Sequence, residues 1–258
     1  MSYKVYETLK YFAGNDGQRI KINTNKVNFD LLFNKHSLPH LLGMHYMYRQ
    51  EKINNRYLKI DENNNVIKAS DMYRKVIEEE TTDEEIYEKI RENNPSNLNA
   101  VKNRIESFTD FMKNLEKGYV VENVKVDNLG GKVNYFVVED DKGNYNHLGI
   151  KTENGVDIIE NYNENTSKLI TYLVQKDNRY FQGTRIKEDI TKIEVYDREK
   201  ECYIPFSFDK EKNEKLRGAN QFYARPEFND DQMVELREKL ERKDKEAKNL
   251  SEDSSLSL

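Results

Sequence analysis

The stretch "YVVENVKVDNLGGKVNYFVVEDDKGNYNHLGIKT", residues 119–152, decides the fold class. Its apolar positions are almost all β-branched or aromatic: Val120, Val121, Val124 and Val126, then Val133, Tyr135, Phe136, Val137 and Val138. Two turn-forming clusters, "DNLGG" and "DDKGN", cut it into three runs. Branched and aromatic side chains suit a pleated, half-buried surface, and clustered Gly, Asn and Asp suit reversals. The stretch therefore predicts three consecutive antiparallel strands.

Downstream, "SKLITYLVQ", "ITKIEVYD" and "CYIPFSF" carry the same signature, so Tyr119 to Phe208 reads as an antiparallel sheet. Upstream the periodicity changes. "YKVYETLKYF" spaces Tyr3, Val5, Tyr6, Leu9 and Phe12 as a helix, and "RIKIN" and "VNFDLLF" follow as short strands. Ser37-Leu38-Pro39 is a helix start, with serine as N-cap and proline in the first turn, so His40 to Met47 is expected to be helical. Gly43 shortens that helix or admits a close neighbour. "RYLKIDENNNVIKAS" reads as a hairpin-like connection. Two short helices are expected between residues 71 and 95, the second opened by a Thr82/Glu85 capping box. In "SNLNAVKNRIESFTDFMKNLEKG", Leu98, Val101, Ile105, Phe108, Met112 and Leu115 recur every three or four residues, which marks a core helix that Gly118 closes.

Helices first and strands second give an α+β class, with helices packed on a multi-stranded antiparallel sheet and a charged helix at the C-terminus. The expected organisation is one domain over 1–210, with an acidic helical insert at about 71–95. A charged helix and a disordered tail, 211–258, complete it.

Composition narrows the function. No apolar run reaches the roughly 20 residues of a membrane span, and the N-terminus lacks the apolar core of a signal peptide, so a cytoplasmic protein without membrane partners is expected. The single cysteine, Cys202, allows no intrachain disulfide and reads as a buried strand residue. A net charge of −5 argues against a uniformly basic nucleic-acid binder. The charge is uneven, however: residues 1–70 hold eleven basic residues against six acidic, and residues 71–95 hold nine acidic against four basic.

The basic segment contains "KHSLPHLLGMHYMYR", residues 35–49, with three of the four histidines: His36, His40 and His45. Histidine exchanges protons near neutral pH without needing a shifted pKa, so the cluster is a candidate for acid-base work. His36 and His40 are four apart, but no H-E-x-x-H is completed and Pro39 interrupts the spacing, so no metal site is expected. There is no Gly-rich phosphate loop, no G-x-S-x-G and no cofactor signature. Metal-free RNA cleavage needs only a base for the 2′-OH, an acid for the leaving 5′-oxygen and a cation on the phosphate. His40, His45, Thr184 and Arg185 are the catalytic candidates. Arg49, Tyr180, Lys187, His147 and Lys151 are the candidates for holding substrate.

The run "FNKHSLPHLLGMHY", followed by "AVKNRIESFTDFMKNLEKG", "KVNYFVVED", "HLGI" and "ITKIEVYD", resembles the phage-associated nuclease-like domains grouped with barnase, EndoU, colicin and RelE, specifically the fourth such group. The likeness spans Gln18 to Phe208. It implies a compact α+β fold, an active site on a sheet face, RNA as substrate, His40 of "PHLLG" as acid or base, and an origin in a phage or mobile element where such domains act as toxins. Two functions are weighed. The first is a metal-independent endoribonuclease, with an immunity or host protein as a possible partner. The second is a non-enzymatic inhibitor that uses a nuclease-like scaffold to hold nucleic acid or protein. A packaging component carried with phage particles is a third, weaker option. Convergence or scattering of the polar candidates in space discriminates between the first two.

Overall fold

The computed structural model describes residues 2–53, 56–79, 81–126, 131–153, 166–176 and 187–222. Its elements follow the chain as α1 (Lys4–Ala13), β1 (Arg19–Thr24), β2 (Asn28–Leu32), α2 (Leu38–Leu41), β3 (Arg49–Ile53), β4 (Arg56–Ile60), α3 (Ala69–Glu78), α4 (Asp83–Asn93), α5 (Leu98–Lys113), β5 (Tyr119–Val126), β6 (Gly131–Glu139), β7 (Tyr145–Glu153), β8 (Thr166–Gln175), β9 (Lys187–Asp197), β10 (Cys202–Pro205) and α6 (Lys210–Phe222). Met1–Asn213 forms one unit and Glu214–Leu258 a second, of which only the remainder of α6 is described.

The expected open antiparallel sheet with helices laid on it is not what forms. The strands pair in the order β1-β2-β8-β7-β6-β5-β9, and β9 returns to pair with β1, so seven strands close into a barrel. Strand direction explains the mixed pairing. Around a ring with an odd number of strands, direction cannot alternate throughout, so at least one neighbouring pair must be parallel. That pair is β2 and β8, with Asp30 opposite Thr166 and Leu31 opposite Ser167; the other six are antiparallel. Closure also removes a liability, because β8 and β9 would otherwise present unpaired edges and the β1–β2 hairpin satisfies both.

Side chains fill the interior. Phe29 of β2 and Phe136 of β6 lie three places apart around the ring, yet their rings meet edge to face at 5.5 Å. Helix α5 adds Phe108 and Phe111, 5.0 and 5.2 Å from the fully buried Tyr172 of β8, and α1 adds Phe12, 5.6 Å from Phe108. The Thr82/Glu85 capping box forms as expected, and the next residue extends it: Asp83, 2% exposed, accepts the Lys4 and Val5 N–H groups at 2.9 Å and so caps α1. A carboxylate at the start of one helix thus holds the start of another.

Four local expectations are corrected. His40 to Met47 is not a continuous helix: α2 ends at Leu41, Gly43 adopts a left-handed φ of 83°, and a 3-10 turn covers Met44–Met47. Ser37 does not cap α2; the Asn34 side chain instead accepts the His36 N–H at 2.9 Å. Cys202 is exposed, since it begins β10, which pairs only with β9 among the described residues. Helix α5 ends at Lys113, before Gly118, whose extended backbone serves close approach instead: a Cβ there would lie 2.5 Å from the Val137 carbonyl. No helix among the described residues is long and apolar enough to cross a membrane. The C-terminal charged helix expected after residue 226 lies outside them.

Candidate active site

Gly43 builds the site. A Cβ at this position would sit 2.8 Å from Val101 Cγ2 and 3.4 Å from Arg104 Nη1, so the chain turns here directly against α5. Glycine meets both demands, the left-handed φ and the missing side chain. The reversal folds His45 back over His40, and their rings stack at 4.4 Å with 26° between planes. Tyr46 covers His45 at 4.1 Å. His40 reaches from the end of α2 toward β8, where the Ile170 carbonyl accepts from its ring. His40 remains exposed, whereas His45 is half-buried and its Nδ1 is buried without a hydrogen-bond partner.

Two cations complete the cluster. Arg104 of α5 is 8% exposed and bonds Tyr46, with its guanidinium 6.0 Å from that ring's centroid. Lys59 of β4 lies 5.7 Å from the same ring and donates to Gln50 Oε1 at 3.0 Å. No carboxylate pairs with either among the described residues. The crowding that desolvates the imidazoles, reinforced by the Arg104 and Lys59 charges, lowers the pKa of His40. The same burial, together with His40 and the two cations, lowers His45 to about 3. Burial also lowers Lys59 and Arg104 from their ordinary values. Stacked rings at this distance titrate as a pair, and a proton on one opposes a proton on the other. At neutral pH the site therefore presents neutral imidazoles beside two cations without a carboxylate partner among the described residues, an arrangement that accepts an anion and can take up a proton.

The sequence candidates are distributed as follows. His40 and His45 come together. His36 stands apart from them, its ring edge-on to Tyr73 at 5.4 Å; with His40 it lines a recess of about 340 Å³ floored by Leu169 and Ile170. Arg49 faces away: it pairs with Glu51 at 2.8 Å and donates to Asn64 at 2.8 Å. His147 is fully buried, its Nδ1 3.0 Å from the Tyr145 carbonyl and its ring edge-on to Tyr135, so it offers no surface to a substrate. Lys151 is half-buried on β7, and Lys187 lies 4.1 Å over the Tyr119 ring. Tyr180, Thr184 and Arg185 lie outside the described residues.

Sequence reasoning missed Lys59, Tyr46 and Arg104. For Arg104 there was a signal: it falls on the apolar face of α5, three residues after Val101 and four before Phe108, where a cation is out of place. Lys59 and Tyr46 gave none. The acidic insert is also located. Asp71 and Glu78 of α3, Glu79 just after it and Glu92 of α4, with Asp61 and Glu62 of the connection after β4, line a recess of about 640 Å³; Arg49, Arg74, Lys75 and Lys89 line it too, so six carboxylates face four cations, with Ile60 beside them. Arg49 and Ile60 pair across the hairpin and share its face opposite the Gln50–Lys59 pair, so the acidic side chains are segregated from the histidines.

A family model described as phage-Barnase-EndoU-ColicinE5/D-RelE like nuclease4 matches residues 10–212. No curated protein and no solved structure matches the chain.

Proposed function

The chain belongs to the phage-Barnase-EndoU-ColicinE5/D-RelE like nuclease4 family, and from that premise we propose that it is an RNA-cleaving endonuclease that works without a metal ion at His40. One observation carries this reading: two stacked imidazoles lie beside two cations that have no carboxylate partner among the described residues. Neutral His40, with its open edge, takes the proton of the attacking 2′-OH. The 2′-oxygen then bonds to phosphorus, the bond to the 5′-oxygen breaks, and the leaving oxygen takes a proton. Lys59, whose charge acts on both rings and whose pKa burial lowers, supplies it. Arg104 stays charged behind the rings and favours the charge that builds on the phosphate. His45 holds the His40 ring in place and limits the pair to one proton. The products are a 2′,3′-cyclic phosphate and a free 5′-hydroxyl. Thr184, Arg185 and Tyr180 remain candidates for further contacts with the phosphate and the base.

The test is cleavage of single-stranded RNA in EDTA by the wild type and by His40→Ala. Cyclic-phosphate ends from the wild type and a loss of at least about a hundredfold in the variant are expected. Equal cleavage by the two proteins would remove His40 from the mechanism. The rival reading, an inhibitor on a nuclease-like scaffold, draws on the recess between α3 and α4, where six carboxylates outnumber four cations and favour a basic partner. It would be supported by tight binding with no cleavage at any pH. A phage or mobile-element origin and a toxin role accord with the family, and growth arrest on induced expression, absent in His40→Ala, is the corresponding cellular outcome.

A further inference from the structure

The β3–β4 hairpin has two chemically different faces. Its register places Gln50 opposite Lys59 and Lys52 opposite Tyr57. Opposed residues share a face, as do residues two apart in one strand, so Gln50, Lys52, Tyr57 and Lys59 lie together. Arg49, Glu51, Leu58 and Ile60 take the other face, where Glu51 is paired with Arg49 and the acidic recess begins. The first face carries two lysines and no acid. At one end it reaches the active site, where the Lys59 charge acts on both histidines. Two residues along β4, about 7 Å away, Tyr57 stands 68% exposed, the most open of the large apolar side chains among the described residues, with Lys52 exposed opposite it.

We propose that this face is a binding track for single-stranded nucleic acid leading to His40, on which Tyr57 stacks a base and Lys52 contacts a phosphate. The proposal rests on reading the His40 cluster as a nuclease centre and extends it to the residues that hold the strand beyond the cleaved bond. An aromatic ring in water beside a cation is the recurring platform for unpaired bases, since every base offers a flat face and every nucleotide a charge. A duplex keeps its bases stacked inside and gives Tyr57 nothing to stack upon. Charge favours this path as well: the opposite face opens on a recess with six carboxylates against four cations, which draws a polyanion less than the acid-free Lys52–Lys59 side.

The experiment measures binding separately from cleavage. His40→Ala protein is titrated against a labelled oligoribonucleotide of about a dozen nucleotides, and affinity is read by fluorescence anisotropy over a range of salt. Adding Tyr57→Ala is expected to weaken binding about tenfold, while Tyr57→Phe, which keeps the ring, retains it. Adding Lys52→Ala is expected to flatten the slope of log Kd against log salt by about 0.7, one phosphate contact on a single strand. A fully paired duplex of equal length should bind with no dependence on Tyr57. Equal affinity of the Tyr57→Ala and parent proteins, or equal losses with alanine and phenylalanine, would overturn the track. Failure of the wild type to cleave RNA would sink the nuclease reading and leave this binding comparison decisive.

Discussion

Arg104→Met separates the cost of the site from its use. Arg104 is a cation in the apolar stripe of α5, 8% exposed, next to the buried Val101, Ile105 and Phe108, with no carboxylate partner among the described residues. Burying an ion costs several kcal/mol even after relaxation. Against that cost stand a charged hydrogen bond to Tyr46, about 1.5–3 kcal/mol, and the nearby aromatic face, about 0.5–2 kcal/mol. Methionine fills much of the same volume and adds about 1.5–3 kcal/mol of apolar burial. Taken together, the replacement should leave stability unchanged or raise it by up to about 4 kcal/mol, with each kcal/mol worth about 2–4 °C in melting temperature for a chain of this size. Cleavage should nevertheless fall by about a hundredfold or more, because the fixed positive charge behind the imidazoles is gone. The His40 pKa should rise, since Arg104 is one of the charges that lower it. Urea denaturation, an NMR titration of the His40 ring and an RNA-cleavage assay on the same protein read all three. A variant destabilised by more than about 2 kcal/mol with cleavage intact would refute the argument and make Arg104 a structural residue.

Three further outcomes follow from the same geometry. His45 titrates near 6.5 when unfolded and about 3 when folded, so the unfolded chain binds the proton more tightly; stability should be fully present above pH 6.5 and decline as pH falls toward 3. Urea midpoints across that window should show the decline, and His45→Phe should flatten it. Gly43→Ala should cost about 1–2 kcal/mol for the left-handed backbone alone. It should lose activity in parallel as the added methyl pushes on Val101, and Val101→Ala in the same chain should recover the contact but not the backbone part. Asp83→Ala, which frees two N–H groups of α1, should lower unfolding free energy by about 2–4 kcal/mol, with partial recovery in Asp83→Asn.

Local physics was legible in the chain. Alternating branched and aromatic residues marked the strands after Tyr119, steps of three and four marked α5, and Thr82 with Glu85 marked the start of α4. Each signal acts among residues within a few places of one another, where backbone propensity and capping operate. The same reasoning failed where a local preference met a distant demand. Ser37 looks like a cap, but Asn34 bonds the first turn before it; His40 to Met47 looks like a helix, but the approach of Val101 and Arg104 holds Gly43 in a turn. Cys202 looks like a core residue because its run is apolar, while its place at the start of a strand on the barrel's margin exposes it.

From sequence alone came the type and order of most elements, though not β3 or its hairpin with β4, together with the clustering of three histidines and the segregation of positive from negative charge. The barrel and the complete site were decided by tertiary structure. Ring closure sets Ile20 opposite Val195, and the cluster joins His40, Lys59, Arg104 and the carbonyl of Ile170. A pattern of alternation states that a strand has an apolar face but not which strand will share its edge. That choice is made by the simultaneous burial of many faces and the pairing of every backbone edge, which no short window of residues contains.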